Sequence, residues 1–193
     1  MAASSAVLFD RGLDLFGNVV EQVTPETWDV PSPCAGWTAL DVFGHLSTSV
    51  RMGISVLRGE QPTWPDVARP ADLVDGDPAE VWRGLVAECR AALDGADLDT
   101  VMDTPMGPST VAERLAFPAI DLYVHAWDIG QAAGVSVVVP EDVIELAHHH
   151  IDPFPPERVR GEGGAFGAEV EPPADATPTE RFIAWTGRDP RPR

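Results

Sequence analysis

The sequence predicts an all-α fold, a four-helix bundle with long crossover loops and a short irregular C-terminal segment. Three observations carry this. Four long segments repeat apolar residues at helical spacing, the chain between them is rich in Pro and Gly, and no alternation of strand and helix patterns occurs along the chain. In the first segment Val7, Leu8, Leu13, Leu15, Phe16, Val19, Val20 and Val23 recur with roughly helical spacing, and Thr24-Pro25 closes it. After a loop with Pro31, Pro33 and Gly36, Thr38 caps a second helix that runs through Leu57 to Arg58-Gly59. Pro62, Pro65, Pro70 and Gly76 interrupt the next stretch, and Asp77-Pro78 opens a third helix by placing proline at its first position, ending near Asp94-Gly95. Ser109-Thr110 caps a fourth segment extending to Gly134, with a kink expected at Pro118. Val135 to Val139 reads equally as a short strand or as an extended link into a fifth helix from Glu141 to Ile151. From there to residue 180 the chain reads as irregular, with a last turn or two at Thr179 to Trp185 ending at Gly187. The division expected is a bundle over residues 1–151 and an irregular segment over 152–193 packed on it.

Composition excludes several classes of function. The chain has 193 residues, 31 acidic against 13 basic, and a net charge of −18. That charge repels phosphates and anionic lipid headgroups, so neither nucleic acid nor a membrane surface is expected as a partner. Cys34 and Cys89 lie far apart without a C-x-x-C pattern, and the N-terminus lacks the basic and apolar regions of a secretion signal. A cytoplasmic location is the expectation.

The fourth helix carries the chemistry. Asp121, His125, Asp128 and Ala132 share a narrow stripe at i, i+4, i+7 and i+11. The remaining directions carry Phe117, Ile120, Leu122, Val124, Trp127 and Ile129, which marks a central helix. Buried carboxylate and imidazole groups need partners, and a metal cation satisfies both at once. His45, at the border of the apolar arc of helix two, is the candidate third ligand. His45, Asp121 and His125 together would give three N/O donors with open positions, as a catalytic site requires. The same spacing also fits a hydrogen-bonded Asp121–His125 pair beside an ordinary half-buried His45, because D-x-x-x-H is a short pattern. Asp128 reads either as an acceptor for a ligand imidazole or as a salt-bridge partner of Arg114.

The segment SPCAGWTALDVFGHL (Ser32 to Leu46), with DLYVHAWDIGQAAG (Asp121 to Gly134) downstream, resembles the mycothiol-dependent maleylpyruvate isomerase family, among the DinB-like metal-binding four-helix bundles. The ending FIAWTGRDP (Phe182 to Pro190) is similar to the tail of an actinobacterial branch of that family. The resemblance implies a divalent metal, usually zinc, bound by His45, Asp121 and His125, with mycothiol as a second cofactor. In the isomerase the carboxylate ligand is a glutamate, so Asp121 is shorter by one methylene. The isomerase also has a C-terminal extension that contributes a catalytic arginine, and this chain, finishing in RDPRPR, reads as ending too early to supply one.

The function expected is therefore a divalent-metal-binding protein, a mycothiol-dependent thiol transferase or isomerase acting on a small electrophile. The alternative is a non-catalytic metal- or ligand-binding bundle. Partners would be a small-molecule thiol and an electrophilic substrate, with a homodimer as the assembly to consider. His148-His149-His150 reads as surface, since adjacent helical residues point about 100° apart and cannot all face one ion. GEGGAFG (Gly161 to Gly167) lacks the phosphate-loop pattern and reads as a flexible loop. Cys34, Trp37 and Trp127 could approach a pocket over the metal, but packing roles are the expectation for all three.

Overall fold

A computed structural model describes residues 4–104, 107–161 and 165–191. The long helices are α1 (Ser5–Val20), α2 (Ala39–Leu57), α3 (Pro78–Gly95) and α5 (Ala116–Ala133), and four shorter ones are α4 (Val111–Arg114), α6 (Glu141–Ile151), α7 (Pro156–Val159) and α8 (Pro178–Trp185). Helix α1 packs on α5 and α3, while α2 packs on α3 and α5. The four long helices thus close a ring in the order α1–α3–α2–α5, and α1 and α2 stand at opposite corners. That diagonal placement explains the long crossover between them, since a two- or three-residue turn joins only adjacent helices.

Helices α1, α2, α3, α4 and α8 start where a side chain accepts from a free N–H group. Thr38 and Asp41 form a reciprocal capping box at the start of α2, as do Thr110 and Glu113 at α4 and Thr177 and Glu180 at α8. Asp77 accepts from the Glu80 N–H at 3.0 Å, with Pro78 at the first turn of α3. Helix α5 stops at Gly134, whose φ of 70° is left-handed and suits a residue without Cβ.

Close packing of α1 against α5 depends on Gly12, because a Cβ there would lie 2.9 Å from the Cβ of Leu122. Tyr123 crosses the same interface and donates its hydroxyl to the Leu8 carbonyl at 3.0 Å. On the α3 side, Trp82 Nε1 donates to the Leu13 carbonyl at 3.2 Å. Helix α5 is buried on nearly every side, in agreement with its apolar sequence.

Three local features depart from the reading of the sequence. The fourth segment is divided at Leu115 into α4 and α5. Pro118 has no N–H for the Arg114 carbonyl and its ring crowds that carbonyl, so the break falls three residues before the proline. Val101–Met102 and Ser109–Thr110 pair as a two-residue antiparallel ribbon, β1–β2, so the Ser109-Thr110 pair read as a cap is also a strand, with Thr110 capping α4. Residues 156–159 form the single turn α7 within the stretch read as irregular. Val135 to Val139 is an extended link with no strand partner among the described residues.

Asp41 does more than cap α2. Its carboxylate accepts from the Thr38 N–H and hydroxyl, from the Ala71 N–H and from Arg69, so it ties the Pro70–Leu73 turn onto α2. Burial works against its charge, but these hydrogen bonds outweigh burial and its pKa falls to about 2. A depressed carboxylate stabilises the fold above its unfolded pKa and loses that contribution as pH falls through the folded one. Replacing Asp41 by Ala is expected to cost about 2 kcal/mol at pH 7. Urea unfolding should show wild type and variant converging as pH drops from about 4 toward 2; a gap that stays constant across that window would refute the assignment.

Candidate functional site

Helices α2 and α5 face each other across a cavity of about 960 Å³, and His45, Asp121 and His125 lie on its wall. The helix repeat places Asp121 and His125 one turn apart on α5, and His45 meets them from α2. His45 Nε2 is 3.8 Å from Asp121 Oδ2, and the His45 and His125 rings stand 5.0 Å apart, nearly perpendicular. One donor atom from each of the three residues lies within 4.8 Å of the others. Ser49, one turn after His45, donates to Asp121 Oδ2 at 3.1 Å. Burial opposes ionisation of Asp121, yet the neighbouring His45 and His125 imidazoles hold its pKa below the ordinary value.

The far side of His125 is fixed by a second group of charges. Its Nδ1 is 2.8 Å from Asp128 Oδ2. Asp128 is fully buried and its pKa is about 2: burial alone would raise it, and Arg188 and His125 more than offset that. An ionised carboxylate only accepts, so the imidazole proton sits on Nδ1 and the Nε2 lone pair is left free. Burial also lowers the His125 pKa and keeps the ring neutral, although Asp128 pulls the other way. Arg188 grips Asp128 with both edges of its guanidinium, Nε to Oδ1 at 2.7 Å and Nη2 to Oδ2 at 2.9 Å. Cys34 completes the group, its Sγ 3.2 Å from Asp128 Oδ2 and 3.1 Å from Arg188 Nη2. Burial and the Asp128 charge push the Cys34 thiol up to about 12, so it stays protonated and acts as a donor.

This arrangement suits a divalent cation. Neutral imidazole and carboxylate are the donors zinc takes, and a histidine whose other nitrogen donates to a carboxylate is the usual outer support of such a ligand. A second grouping, Cys34 with His125 and Asp128, also satisfies the distance condition. Its Asp128 is already saturated by Arg188, and its thiol holds its proton, so it is the poorer donor set.

Trp37 and Trp64 flank His45. The Trp64 ring stacks on it at 5.2 Å with an interplanar angle of 13°, and Trp37 leans against it at 5.1 Å. Trp37 thus lines the cavity, whereas Trp127 is buried at 3% exposure and does not reach it. Asp128 takes the role of imidazole acceptor, and its arginine is Arg188, not Arg114. The histidine run lies elsewhere: His148 stacks on Trp185 and contacts Asp152, and no metal-competent group among the described residues includes His148, His149 or His150. Of the Gly161 to Gly167 loop, Gly161 and residues 165–167 border the cavity, and residues 162–164 lie outside the described residues. Sequence reasoning missed Ser49, Trp64 and Arg188. Ser49 was within reach as the i+4 neighbour of His45, but Trp64 sits in a proline-rich loop and Arg188 in the tail, where no periodicity reports a side chain's direction.

Comparison with known proteins agrees with this architecture. The profile of the family described as the mycothiol maleylpyruvate isomerase N-terminal domain matches residues 9–130, more than half of the chain. An uncharacterized protein of Mycobacterium tuberculosis, found in strains H37Rv and CDC 1551, is 27% identical over 185 residues, covering 94% of this chain and 96% of its own length. The crystal structure of the mycothiol-dependent maleylpyruvate isomerase superposes with a TM-score of 0.61 at 16% identity, and that of a histidine-to-alanine mutant with 0.61 at 14%. Both matches cover 74% of this chain but only 65% of the isomerase.

Proposed function

This chain belongs to the family of the mycothiol maleylpyruvate isomerase N-terminal domain, and from that premise we propose that it binds a divalent metal, zinc, through His45, Asp121 and His125 and uses mycothiol in a transfer or isomerisation reaction on a small electrophile. The observation that carries this reading is the convergence of the three donors on the cavity wall, with His125 locked by Asp128 so that its Nε2 is free. In this reading residues 1–151 form the metal-binding bundle, residues 152–193 complete one wall of its cavity, and the reaction is cytoplasmic.

A bound zinc ion would supply Lewis acidity, lowering the pKa of a thiol or water placed against it. The protein's own groups do the rest. Ser49 holds one oxygen of Asp121, and Asp128 with Arg188 holds the His125 ring, so the donors are in place before a ligand arrives. Trp37 and Trp64 cover His45 and keep water from its faces. Burial beside Asp128 favours the protonated Cys34 thiol, which supports a small-molecule thiol as the reacting group. Arg188 reaches the cavity from residue 188, so an arginine from the C-terminal segment is at the site without a longer extension.

Calorimetric titration of mycothiol into the zinc-loaded chain tests the reading. Saturable binding is expected, lost on chelation and restored by zinc, with the helical circular dichroism unchanged throughout because the bundle core is built without the metal. Absence of binding at millimolar mycothiol would leave the non-catalytic metal- or ligand-binding bundle as the better account.

A further inference from the structure

The cavity has a second polar end. Arg114, the last residue of α4, lines the same cavity as Asp121 and lies seven residues before it, across the break at Leu115. Among the described residues its side chain makes one weak hydrogen bond, Nη1 to the Met102 thioether at 3.2 Å. No carboxylate among the described residues pairs with it, in a chain where acids outnumber bases 31 to 13. Other arginines pair with acids, Arg11 with Asp142, Arg90 with Asp10 and Asp14, and Arg160 with Glu169, and those described without an acid, Arg51, Arg158 and Arg181, are exposed to solvent, whereas Arg114 is half-buried. The other guanidinium in the cavity, Arg188, is saturated by Asp128, Cys34 and Thr186. A half-buried arginine left without an acid beside so much negative charge is a cation kept available for something that enters. Met52, Val56 and Phe117 give the same cavity apolar surface, and Phe117 lies between Arg114 and Asp121 along the chain.

We propose that Arg114 is an anion subsite that selects a reactant carrying a single carboxylate on an apolar body, with the reactive carbon at the His45–Asp121–His125 end. The guanidinium fork matches a carboxylate in two parallel hydrogen bonds, and the apolar surface of the cavity accepts a planar hydrocarbon. This deepens the function proposed above and rests on it for the identity of the reactive end. The subsite itself is independent of the metal.

The test uses a matched pair, cinnamate and its neutral isostere cinnamamide, titrated calorimetrically into the zinc-loaded and the chelated chain. Cinnamate should bind about tenfold more tightly than the amide in both forms. Arg114→Gln should bring the two affinities together, and Arg114→Lys should keep part of the preference. Wild-type protein gives a second readout that needs no variant: cinnamate, but not cinnamamide, should protect Arg114 from phenylglyoxal, scored by peptide mass. A preference that survives Arg114→Gln, or unprotected Arg114, overturns the subsite. A preference that vanishes on chelation with Arg114 intact also overturns it, because the carboxylate would then be sitting on the metal. If zinc and mycothiol fail to bind while the cinnamate preference stands, the thiol chemistry falls and the subsite remains.

Discussion

Replacing Arg188 by Met is expected to destabilise the protein by about 3–5 kcal/mol, lowering Tm by on the order of 10 °C for a chain of this size. The reason is the asymmetry of buried charge. The Asp128 side chain is 0% exposed and that of Arg188 10%. Taking the guanidinium away strands a carboxylate in the core with only the His125 N–H and the Cys34 thiol as donors. Arg191 is the control. It also contacts two acids, Asp175 and Glu180, but its side chain is 47% exposed and its ion pairs are screened by water, so Arg191→Met should leave stability nearly unchanged. The sign of the pH dependence follows from Asp128, whose folded pKa of about 2 lies below the ordinary aspartate value. Its contribution is complete above about pH 4 and disappears as pH falls through about 2, so wild type and Arg188→Met should converge in acid. A double variant, Asp128→Asn with Arg188→Met, should recover part of the loss, since it removes the stranded charge as well. Equal and small effects for Arg188→Met and Arg191→Met would show that the buried pair contributes nothing to the fold.

How much of this was legible in the sequence depends on how local each cause is. Thr38 and the Asp77-Pro78 pair mark helix starts because a cap and its target N–H are two or three residues apart, and both helices begin where expected. The Pro118 break was visible for the same reason, displaced by three residues because the proline acts on the carbonyl behind it. Asp121 and His125 were legible as one stripe, being a turn apart on one helix. That His45 lies beside them depends on α2 and α5 standing face to face, a contact that joins residues far apart in sequence. Arg188 was out of reach of any local argument: it meets Asp128 across 60 positions, from a stretch with no periodicity. Trp64 likewise stacks on His45 from a proline-rich loop whose path is set by tertiary contacts such as Gly44 against Pro70, where a Cβ on Gly44 would strike the Pro70 carbonyl. The order in which the site became visible is the order of contact separation along the chain.

His125→Ala is expected to abolish stoichiometric zinc, measured by elemental analysis of protein prepared without a histidine tag, and His45→Ala or Asp121→Ala should weaken it severely. Three donors leave no spare: removing one leaves two, which is too few for a stable tetrahedral site with an exchangeable position. His125 matters most because it is the donor fixed on its far side, by Asp128 at 2.8 Å. Asp128→Asn therefore supplies an internal gradation. An asparagine can still accept from Nδ1 but no longer favours that tautomer as strongly, and loss of an outer carboxylate of this kind lowers metal affinity by about 10–100-fold. The triple replacement of His148, His149 and His150 by Ala should leave zinc stoichiometry unchanged, since His148 is held by Trp185 and Asp152 and none of the three approaches the cavity. The reverse pattern, zinc retained in His125→Ala and lost with the histidine run, would move the metal to the surface of α6 and remove the foundation for thiol chemistry at the α2–α5 cavity.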